Sequence, residues 1–181
     1  VDEIVFLDNV QFTKRSWQQR NKIKLNDKEL MLTVPVFSKN KFKQNIDEVK
    51  INKKSGFIDK HLKTLNLAYR KSNFYEKYST EIEKIYQIEH DKLLDLNISI
   101  IYLIKNILNI KTKISFSSEL KLKSKKENLI NEICLNKNCS SYITTLGSKD
   151  YLTKLKKTDY KILYYDFKDK KYSQLGNFFL S

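Results

Sequence analysis

The sequence has few of the residues that break or cross-link a chain. Its 181 residues include three Gly, one Pro and two Cys. So little Gly and Pro, with 40% hydrophobic and 12% aromatic residues, argues against a disordered or low-complexity chain. The two Cys, at positions 134 and 139, and the two His, at 61 and 90, fit no zinc-binding pattern and no disulfide framework. We therefore predict no metal site and a reducing compartment, the cytoplasm.

Long hydrophobic runs are also missing. The most apolar stretch, residues 96–110, is interrupted by Asn, Ser and Lys. That is too short and too polar for a membrane span. The chain has no internal repeat and no Gly- or Ser-rich linker, so its length predicts one domain over residues 1–181.

Arg is scarce although the chain is strongly basic. Lys and Arg number 35 against 21 Asp and Glu, which gives a net charge of +14, yet only three of the 35 are Arg. Arg15 and Arg20 lie with the only Trp, Trp17, inside residues 5–24. A guanidinium group pairs bidentately with phosphate or carboxylate, as Lys cannot, which favours a binding role. The alternative is that both Arg are surface charges and Trp17 fills the core.

Hydrophobic periodicity predicts strands at both ends of the chain and helices between them. Residues 4–8 read as a buried strand, residues 22–36 as a hairpin turning at Asn26 and Asp27, and residues 47–51 as a third short strand. Three helices are predicted from residue 57 to about 109, and the third is apolar on more than one face, which is typical of a central helix. Strands at 113–118, 141–145 and 162–166 then alternate with helices.

Strand–helix alternation predicts parallel crossover units. The fold class is therefore α/β, with a Rossmann-like, mostly parallel sheet, flanking helices and a small antiparallel hairpin near the N-terminus. Ligands of such sheets bind at the carboxyl ends of the strands. We expect one rim there to collect four polar clusters, namely Asp8 with Asn9 and Gln11, residues 117–119, residues 147–151, and Asp166.

Two further features favour chemistry without deciding it. The turn LGSKDYL contains Gly147, which allows a tight turn or a close ligand approach, and Lys149, which adds charge for an anion. The alternative is an ordinary turn in which Ser148 caps a helix. Asp8 at a strand end suits a base, a metal ligand or an orienting group. His61 on an apolar helix face fits either a buried structural histidine or a base.

Five strings resemble, in the same order, the WbqC-like protein family. They are DNVQFTKRSWQQRNKIK, LMLTVPV, KHLKTLNLAYRKSNFYEKY, LGSKDYL and YYDFKDKKYSQLGNFF. The string VQF-x-KRSW-x-x-RN is long and specific. The resemblance implies a bacterial protein encoded with genes for O-antigen and other surface polysaccharides. It also implies a further strand and helix before residue 1 and a short helix after residue 181, so we expect a fragment truncated at both ends.

The resemblance implies a transferase that modifies a nucleotide-linked amino sugar by acyl or aminoacyl transfer; it indicates neither a cofactor nor an oligomeric state. On this hypothesis Arg15 and Arg20 hold a phosphate or carboxylate and Trp17 stacks on a ring. Ligand hydrogen bonds and a second anion contact are assigned to Gln11, Gln18, Asn21, Gly147, Lys149, Asp150 and Tyr151. Asp8 or His61 is the candidate base. The alternative is a non-enzymatic basic module that binds nucleic acid or a protein partner.

Overall fold

The computed structural model describes residues 1–26, 28–41, 43–153, 155 and 158–167. Within this part, the chain forms two compact units. The first contains Val1–Asp8 together with the described chain from Thr112 onward, and the second contains Asn9–Lys111. The single domain expected over residues 1–181 stays a prediction.

The chain is an α/β protein, as its sequence predicts. The strands are β1 (Glu3–Phe6), β2 (Arg20–Leu25), β3 (Lys28–Thr33), β4 (Lys113–Phe116), β5 (Ser141–Thr145) and β6 (Lys161–Tyr165). The α-helices are α1 (Phe57–Tyr69), α2 (Tyr75–Gln87), α3 (Leu93–Ile107), α4 (Glu127–Asn136) and α5 (Lys149–Leu152). Short 3-10 turns lie at Ile46–Glu48, Lys53–Ser55, Ser117–Leu120 and Leu146–Ser148.

The first unit contains two pairs of parallel strands. β1 pairs with β4, with Phe6 opposite Phe116, and β5 pairs with β6, with Ser141 opposite Lys161. Among the described strands the two pairs are not hydrogen-bonded to each other. α4 connects β4 to β5, so this unit has the strand–helix–strand order that the alternating pattern predicts.

The second unit contains the predicted hairpin. β2 and β3 are antiparallel, with Arg20 opposite Thr33 and Leu25 opposite Lys28. Asn26 begins the turn with a left-handed backbone, φ +48°, a conformation that Asn tolerates better than most residues. The other predicted turn residue, Asp27, lies outside the described residues. The hairpin fixes the position of the segment before it, because that segment runs directly into β2.

The expected third strand at residues 47–51 is wrong. Ile46–Glu48 forms a 3-10 turn in which the Asn45 N–H donates to the Glu48 carboxylate at 2.8 Å. After the turn, Lys50 and Ile51 make only isolated bridges. The local side-chain bond closes a turn and competes with strand pairing, which periodicity alone does not reveal.

The core of the second unit lies between the helices and the segments around them. Its buried members are Phe12, Val49, Ile51, Phe57, Tyr86, Leu93 and Leu96. α3, predicted to be a central helix with more than one apolar face, buries Leu93 and Leu96 near its start. Within the described part of the chain, Ile104 and Leu108 near its end are exposed. Nor does any described helix combine the length and apolarity that a membrane crossing requires.

Candidate functional site

Residues 13–19 form a loop, here called the Trp17 loop, that is closed by its own side chains. The Thr13 N–H donates to the Gln18 side-chain oxygen at 2.9 Å, and the Ser16 hydroxyl donates to the Thr13 carbonyl at 2.7 Å. The Arg15 N–H donates to the Gln19 side-chain oxygen at 3.1 Å, with Arg15 itself in the left-handed region at φ +57°. Such bonds fix a turn that has no regular secondary structure.

The Trp17 loop is also held by its surroundings. The Val34 N–H, just after β3, donates to the Gln19 carbonyl at 2.8 Å. Asn97 on α3 donates from its side-chain amide to the Gln18 carbonyl at 2.8 Å. Immediately before the loop, Phe12 is buried in the core. The loop is therefore fixed to the hairpin, to a helix and to the core.

This fixed loop presents an aromatic ring and a guanidinium to solvent. The Trp17 side chain is 66% exposed, so its placement in the core is wrong, and Arg15 is also exposed. The Lys22 ammonium lies 6.0 Å from the centre of the Trp17 ring and 2.5 Å from the Glu29 carboxylate. Arg20 is half-buried at the start of β2. An exposed ring with the Lys22 ammonium near it, and with the exposed Arg15 in the same loop, suits a ligand with a planar group and negative charge.

The amide side chains predicted to bind the ligand have different places. The Gln18 side-chain oxygen accepts a hydrogen bond from the Thr13 N–H, so this side chain stabilises the conformation of the loop. Asn21 is exposed, and its side-chain oxygen accepts the Lys22 N–H at 2.8 Å. Gln11 is exposed and forms an isolated bridge with Asn45. Their contacts with a ligand stay predictions.

Asp8 is buried at the carboxyl end of β1, with 5% of its surface exposed. Its Oδ1 accepts the Ser118 N–H at 2.9 Å and the Ser117 hydroxyl at 3.1 Å, and its Oδ2 accepts the Ser118 hydroxyl at 2.6 Å. Both serines follow β4. The structure thus brings together two of the four predicted polar clusters, because parallel neighbouring strands end at the same edge.

The turn at Gly147 is a tight one, and a ligand contact there stays a prediction. Gly147 lies in a 3-10 turn with an ordinary backbone, and a Cβ there would meet only the Thr145 hydroxyl oxygen, at 3.9 Å. Glycine is therefore not required by the turn itself. Ser148 precedes α5, but it does not cap the helix, because its hydroxyl donates to the Thr145 carbonyl at 2.8 Å.

The remaining predicted anion-binding residues lie on α5. Lys149 and Asp150 are exposed, and Tyr151 belongs to the same four-residue helix. A single turn of helix has little dipole with which to hold an anion. Asp166 follows β6, and the Gly147 turn follows β5, so these two lie at the same end of the second parallel pair. One rim that joins all four clusters stays a prediction.

His61 is buried on α1 with both ring nitrogens in contact. Nε2 lies 3.1 Å from the Thr33 carbonyl oxygen, and Nδ1 lies 3.1 Å from the Tyr86 hydroxyl oxygen. A carbonyl only accepts, so Nε2 carries the proton and Nδ1 accepts from Tyr86. The Phe57 ring packs edge-on against the imidazole. Burial lowers the pKa of His61. This histidine therefore ties α1 and α2 to the hairpin as a neutral group.

Cys134 is a buried thiol on α4. Burial raises the pKa of the Cys134 thiol to about 11, and it also raises the pKa of the neighbouring Tyr160. Tyr160 donates to the Asn131 side-chain oxygen at 3.2 Å, so the group packs beneath α4. Within the described residues, no three His, Cys, Asp or Glu side chains are grouped as a metal site would need.

The sequence missed the residues that support the site. Gln19 and Asn97 hold the Trp17 loop, although neither is a predicted ligand contact. The signal for Asn97 was a polar residue between two apolar ones, Leu96 and Ile98. The predicted site residues fall in both units: Asp8 and residues 147–151 in the first, and residues 11–21 and His61 in the second. Their convergence on one site stays a prediction.

The fold and this geometry define an α/β protein whose fixed Trp- and Arg-bearing loop precedes a hairpin. The chain belongs to the WbqC-like protein family, whose model matches residues 1–181. It is 28% identical over 153 residues to the uncharacterized protein Rv1507c of Mycobacterium tuberculosis (strain ATCC 25618 / H37Rv). That match covers 84% of this chain and 66% of the relative, so the chain spans just under two thirds of the relative's length. No solved structure matches the chain.

Proposed function

We propose that this WbqC-like protein is a cytoplasmic transferase of bacterial surface-polysaccharide (O-antigen) biosynthesis, which modifies a nucleotide-linked amino sugar by acyl or aminoacyl transfer. The observation that carries the proposal is the exposure of Trp17 on a loop that is otherwise fully fixed. Membership of the WbqC-like family supports the role in polysaccharide biosynthesis. The exposed aromatic ring and the cationic side chains of the loop support a nucleotide-linked sugar as the ligand.

Exposure of Trp17 has a physical cost that a ligand would remove. Burying a large apolar side chain stabilises a protein by roughly 1.5–3 kcal/mol. The exposed Trp17 side chain does not contribute this stabilisation, although the backbone of its loop is fixed to the hairpin, to α3 and to the core. Stacking a base on an aromatic side chain recovers about 1–3 kcal/mol. In this proposal the exposed guanidinium of Arg15 pairs with phosphate oxygens, and Arg20 follows within the same segment. A nucleoside diphosphate supplies both the planar ring and the charge.

The transfer step needs a group that takes a proton from the attacking amine. The amino nitrogen of the sugar attacks the carbonyl carbon of an activated acyl ester or thioester, the bond to the leaving group breaks, and the amine loses a proton. Asp8 is the better candidate to take that proton, because it is a carboxylate at the carboxyl end of β1 that the serines after β4 hold in place by hydrogen bonds. His61 has both nitrogens committed and acts as a positioning residue.

The test uses Trp17 as its own probe, because it is the only Trp in the chain. UDP- and dTDP-linked amino sugars are titrated into the full-length protein while its intrinsic fluorescence is recorded. We expect saturable quenching, and a Kd roughly 10- to 100-fold weaker in Arg15→Ala and Arg20→Ala, since charge-assisted hydrogen bonds contribute about 1.5–3 kcal/mol.

The third Arg provides the matched control. Arg70 follows α1 and is exposed, outside the Trp17 loop. Arg70→Ala removes the same charge from the protein, so it separates a specific contact from a change in net charge. If the wild type and the three variants bind with equal affinity, or if none of them binds, Arg15 and Arg20 do not bind the ligand.

The same exposed ring also fits single-stranded nucleic acid, the second candidate ligand. Stacking on Trp17 beside Arg15 and Lys22 is the arrangement that such proteins use. The salt dependence of binding separates the candidates. A steep loss of affinity for a single-stranded oligonucleotide with rising salt favours the binding module. Affinity for the nucleotide-sugar with no measurable oligonucleotide binding favours the transferase.

A further inference from the structure

Helix α4 ends in a pattern of two backbone hydrogen bonds. The Asn138 N–H donates to the Leu135 carbonyl at 3.1 Å, and the Cys139 N–H donates to the Cys134 carbonyl at 2.9 Å. Asn138, between the helix and Cys139, has a left-handed backbone with φ +49°. A left-handed residue combined with these two bonds is a Schellman motif, one of the common ways in which a helix ends.

This motif places two cysteines side by side. In a Schellman motif, the residue after the left-handed one lies next to a residue in the last turn of the helix, and these two positions often carry side chains in contact. Here the two positions are Cys139 and Cys134. Side chains five positions apart on an uninterrupted helix point to different sides, so the end of the helix is what brings these two residues together.

The backbone bond also limits the distance between the two cysteines. Its N and O atoms are 2.9 Å apart and belong to Cys139 and Cys134 themselves. With standard bond lengths, the Cα atoms of these residues then lie at most about 6.8 Å apart. Disulfides usually join residues whose Cα atoms are about 4.4–6.8 Å apart. The folded backbone therefore holds the two cysteines within disulfide range.

The side chains of the pair are free thiols that lie near each other. Burial, and next the neighbouring Cys139 thiol, raises the pKa of Cys134 to about 11. Burial, and next Cys134, raises the pKa of Tyr160. The Cys134 thiol thus has the Cys139 thiol and the Tyr160 phenol as neighbours.

The two thiols differ in their access to solvent. Cys134 is only 3% exposed, whereas Cys139 is half-buried. A small oxidant in solution therefore reaches Cys139 first, with Cys134 behind it. Redox-responsive cysteines are accessible thiols that often lie next to a second, resolving cysteine, and this pair has the same arrangement.

We propose that Cys134 and Cys139 form a reversible oxidation site, at which hydrogen peroxide converts the two thiols into a disulfide across the end of α4. The Cys139 thiolate attacks one peroxide oxygen and the O–O bond breaks. Cys139 becomes a sulfenic acid, and the leaving hydroxide takes a proton to form water. The Cys134 sulfur then attacks the Cys139 sulfur, the S–O bond breaks, and the proton of Cys134 leaves with the oxygen as a second water. Both sulfurs are oxidised, the peroxide is reduced, and a small thiol reverses the reaction by exchange.

A disulfide of this kind is compatible with a reducing compartment. Disulfides in the cytoplasm are usually transient and redox-sensing, rather than part of a structural framework. The oxidation site does not rest on the proposed transferase function. Cys134 and Cys139 belong to the first unit, whereas the Trp17 loop belongs to the second.

Oxidation acts on the connection between α4 and β5. Lys137, just before the left-handed residue, lies 2.7 Å from Glu3 on β1, and Ser140, just after Cys139, accepts the Lys161 N–H at 3.0 Å. A disulfide closes a short loop that is already folded between these two contacts. We expect the oxidised protein to melt roughly 4–8 °C higher than the reduced protein.

Peroxide treatment followed by peptide mapping tests the proposal. The full-length protein is oxidised in the presence of dimedone, which traps sulfenic acid, and is then alkylated and digested with trypsin. Lys137 lies between the two cysteines, so trypsin separates them and only a disulfide keeps their two peptides linked. We expect linked peptides that dithiothreitol releases, with little dimedone on Cys139. Cys134→Ser should instead leave Cys139 trapped by dimedone, because its resolving thiol is gone.

Two variants at exposed Asn138 test the role of the helix end without changing either cysteine. Asn138→Gly keeps the left-handed backbone, so the ratio of linked peptides to dimedone adduct should match that of the wild type. Asn138→Val disfavours this backbone, and the ratio should fall roughly tenfold.

Four results overturn the proposal. The first is a wild type that accumulates the dimedone adduct on Cys139 without linked peptides. The second is linkage between two molecules, seen as a disulfide-bonded dimer in a non-reducing gel. The third is the same ratio in Asn138→Gly and Asn138→Val, which would mean that the motif does not bring the thiols together. The fourth is an oxidised protein that melts below the reduced one, since such a disulfide would not fit the folded helix end.

Discussion

Glu3 in the first unit is a carboxylate with one hydroxyl and two ammonium groups around it. Its Oε1 accepts the Ser115 hydroxyl at 2.6 Å and lies 2.7 Å from the Lys137 ammonium, with the Lys113 ammonium at 3.6 Å. The hydrogen bond to Lys137 and then that to Ser115 lower the pKa of Glu3 from 4.5 to about 2. We predict that Glu3→Gln, which keeps the shape and removes the charge, destabilises the protein at neutral pH.

The magnitude follows from that pKa. A drop of this size corresponds to roughly 3 kcal/mol at 1.36 kcal/mol per pKa unit. The carboxylate lies at the edge of the protein, so solvent screening reduces the effect to about 1 kcal/mol. The sign is set by a lowered folded-state pKa: the contribution is complete above the unfolded value of 4.5 and is lost as pH falls toward 2.

The assay is urea unfolding of the wild type and Glu3→Gln at pH 7 and at pH 3. We expect Glu3→Gln to be about 1 kcal/mol less stable at pH 7, with the difference shrinking at pH 3. Glu83→Gln, an exposed change on α2, is the control. A double-mutant cycle with Lys137→Met should give a coupling of the same size at pH 7. A coupling near zero, or one independent of pH, would refute the reasoning.

Three further changes test other parts of the structure. Because burial lowers the pKa of His61, stability should be complete above pH 6.5 and fall as pH drops below it, a slope that His61→Gln should remove in thermal unfolding. Cys134, with its pKa raised to about 11, should react with a thiol reagent at least tenfold more slowly than the half-buried Cys139. Leu93→Ala in the core of the second unit should lower the free energy of unfolding by about 2–5 kcal/mol in urea. Leu67→Ala, at an exposed side chain of α1, should lower it by less than about 1 kcal/mol.

Secondary structure was predictable from the sequence wherever the spacing of apolar residues stayed regular over several residues. The helical spacing from Phe57 matches α1, and the apolar runs around Asn26 match the hairpin. The third strand was not readable, because one Asn45–Glu48 contact turns the chain there. The exposure of the second half of α3 was not predictable for a different reason. The spacing of apolar residues does not tell how much of a helix packs against other elements.

The candidate site was predicted in part. The meeting of Asp8 with Ser117 and Ser118 follows from a rule about where parallel strands end, although about 110 residues separate them in sequence. The solvent-facing position of Trp17 was not predictable from composition. The direction of the Trp17 side chain depends on which side chains close the loop. Gln18 and Gln19 close it, and nothing in the sequence distinguishes these two glutamines from other polar residues of the segment.

The most direct test of the central claim is the indole N–H signal of Trp17 in an NMR titration with a UDP-linked amino sugar. The chain has one Trp, so there is one such signal and its assignment is certain. We predict that this signal shifts with the same Kd as the other signals of the protein that respond, and that the shift needs the nucleotide as well as the sugar. Saturation of the protein with the Trp17 signal unmoved would contradict it.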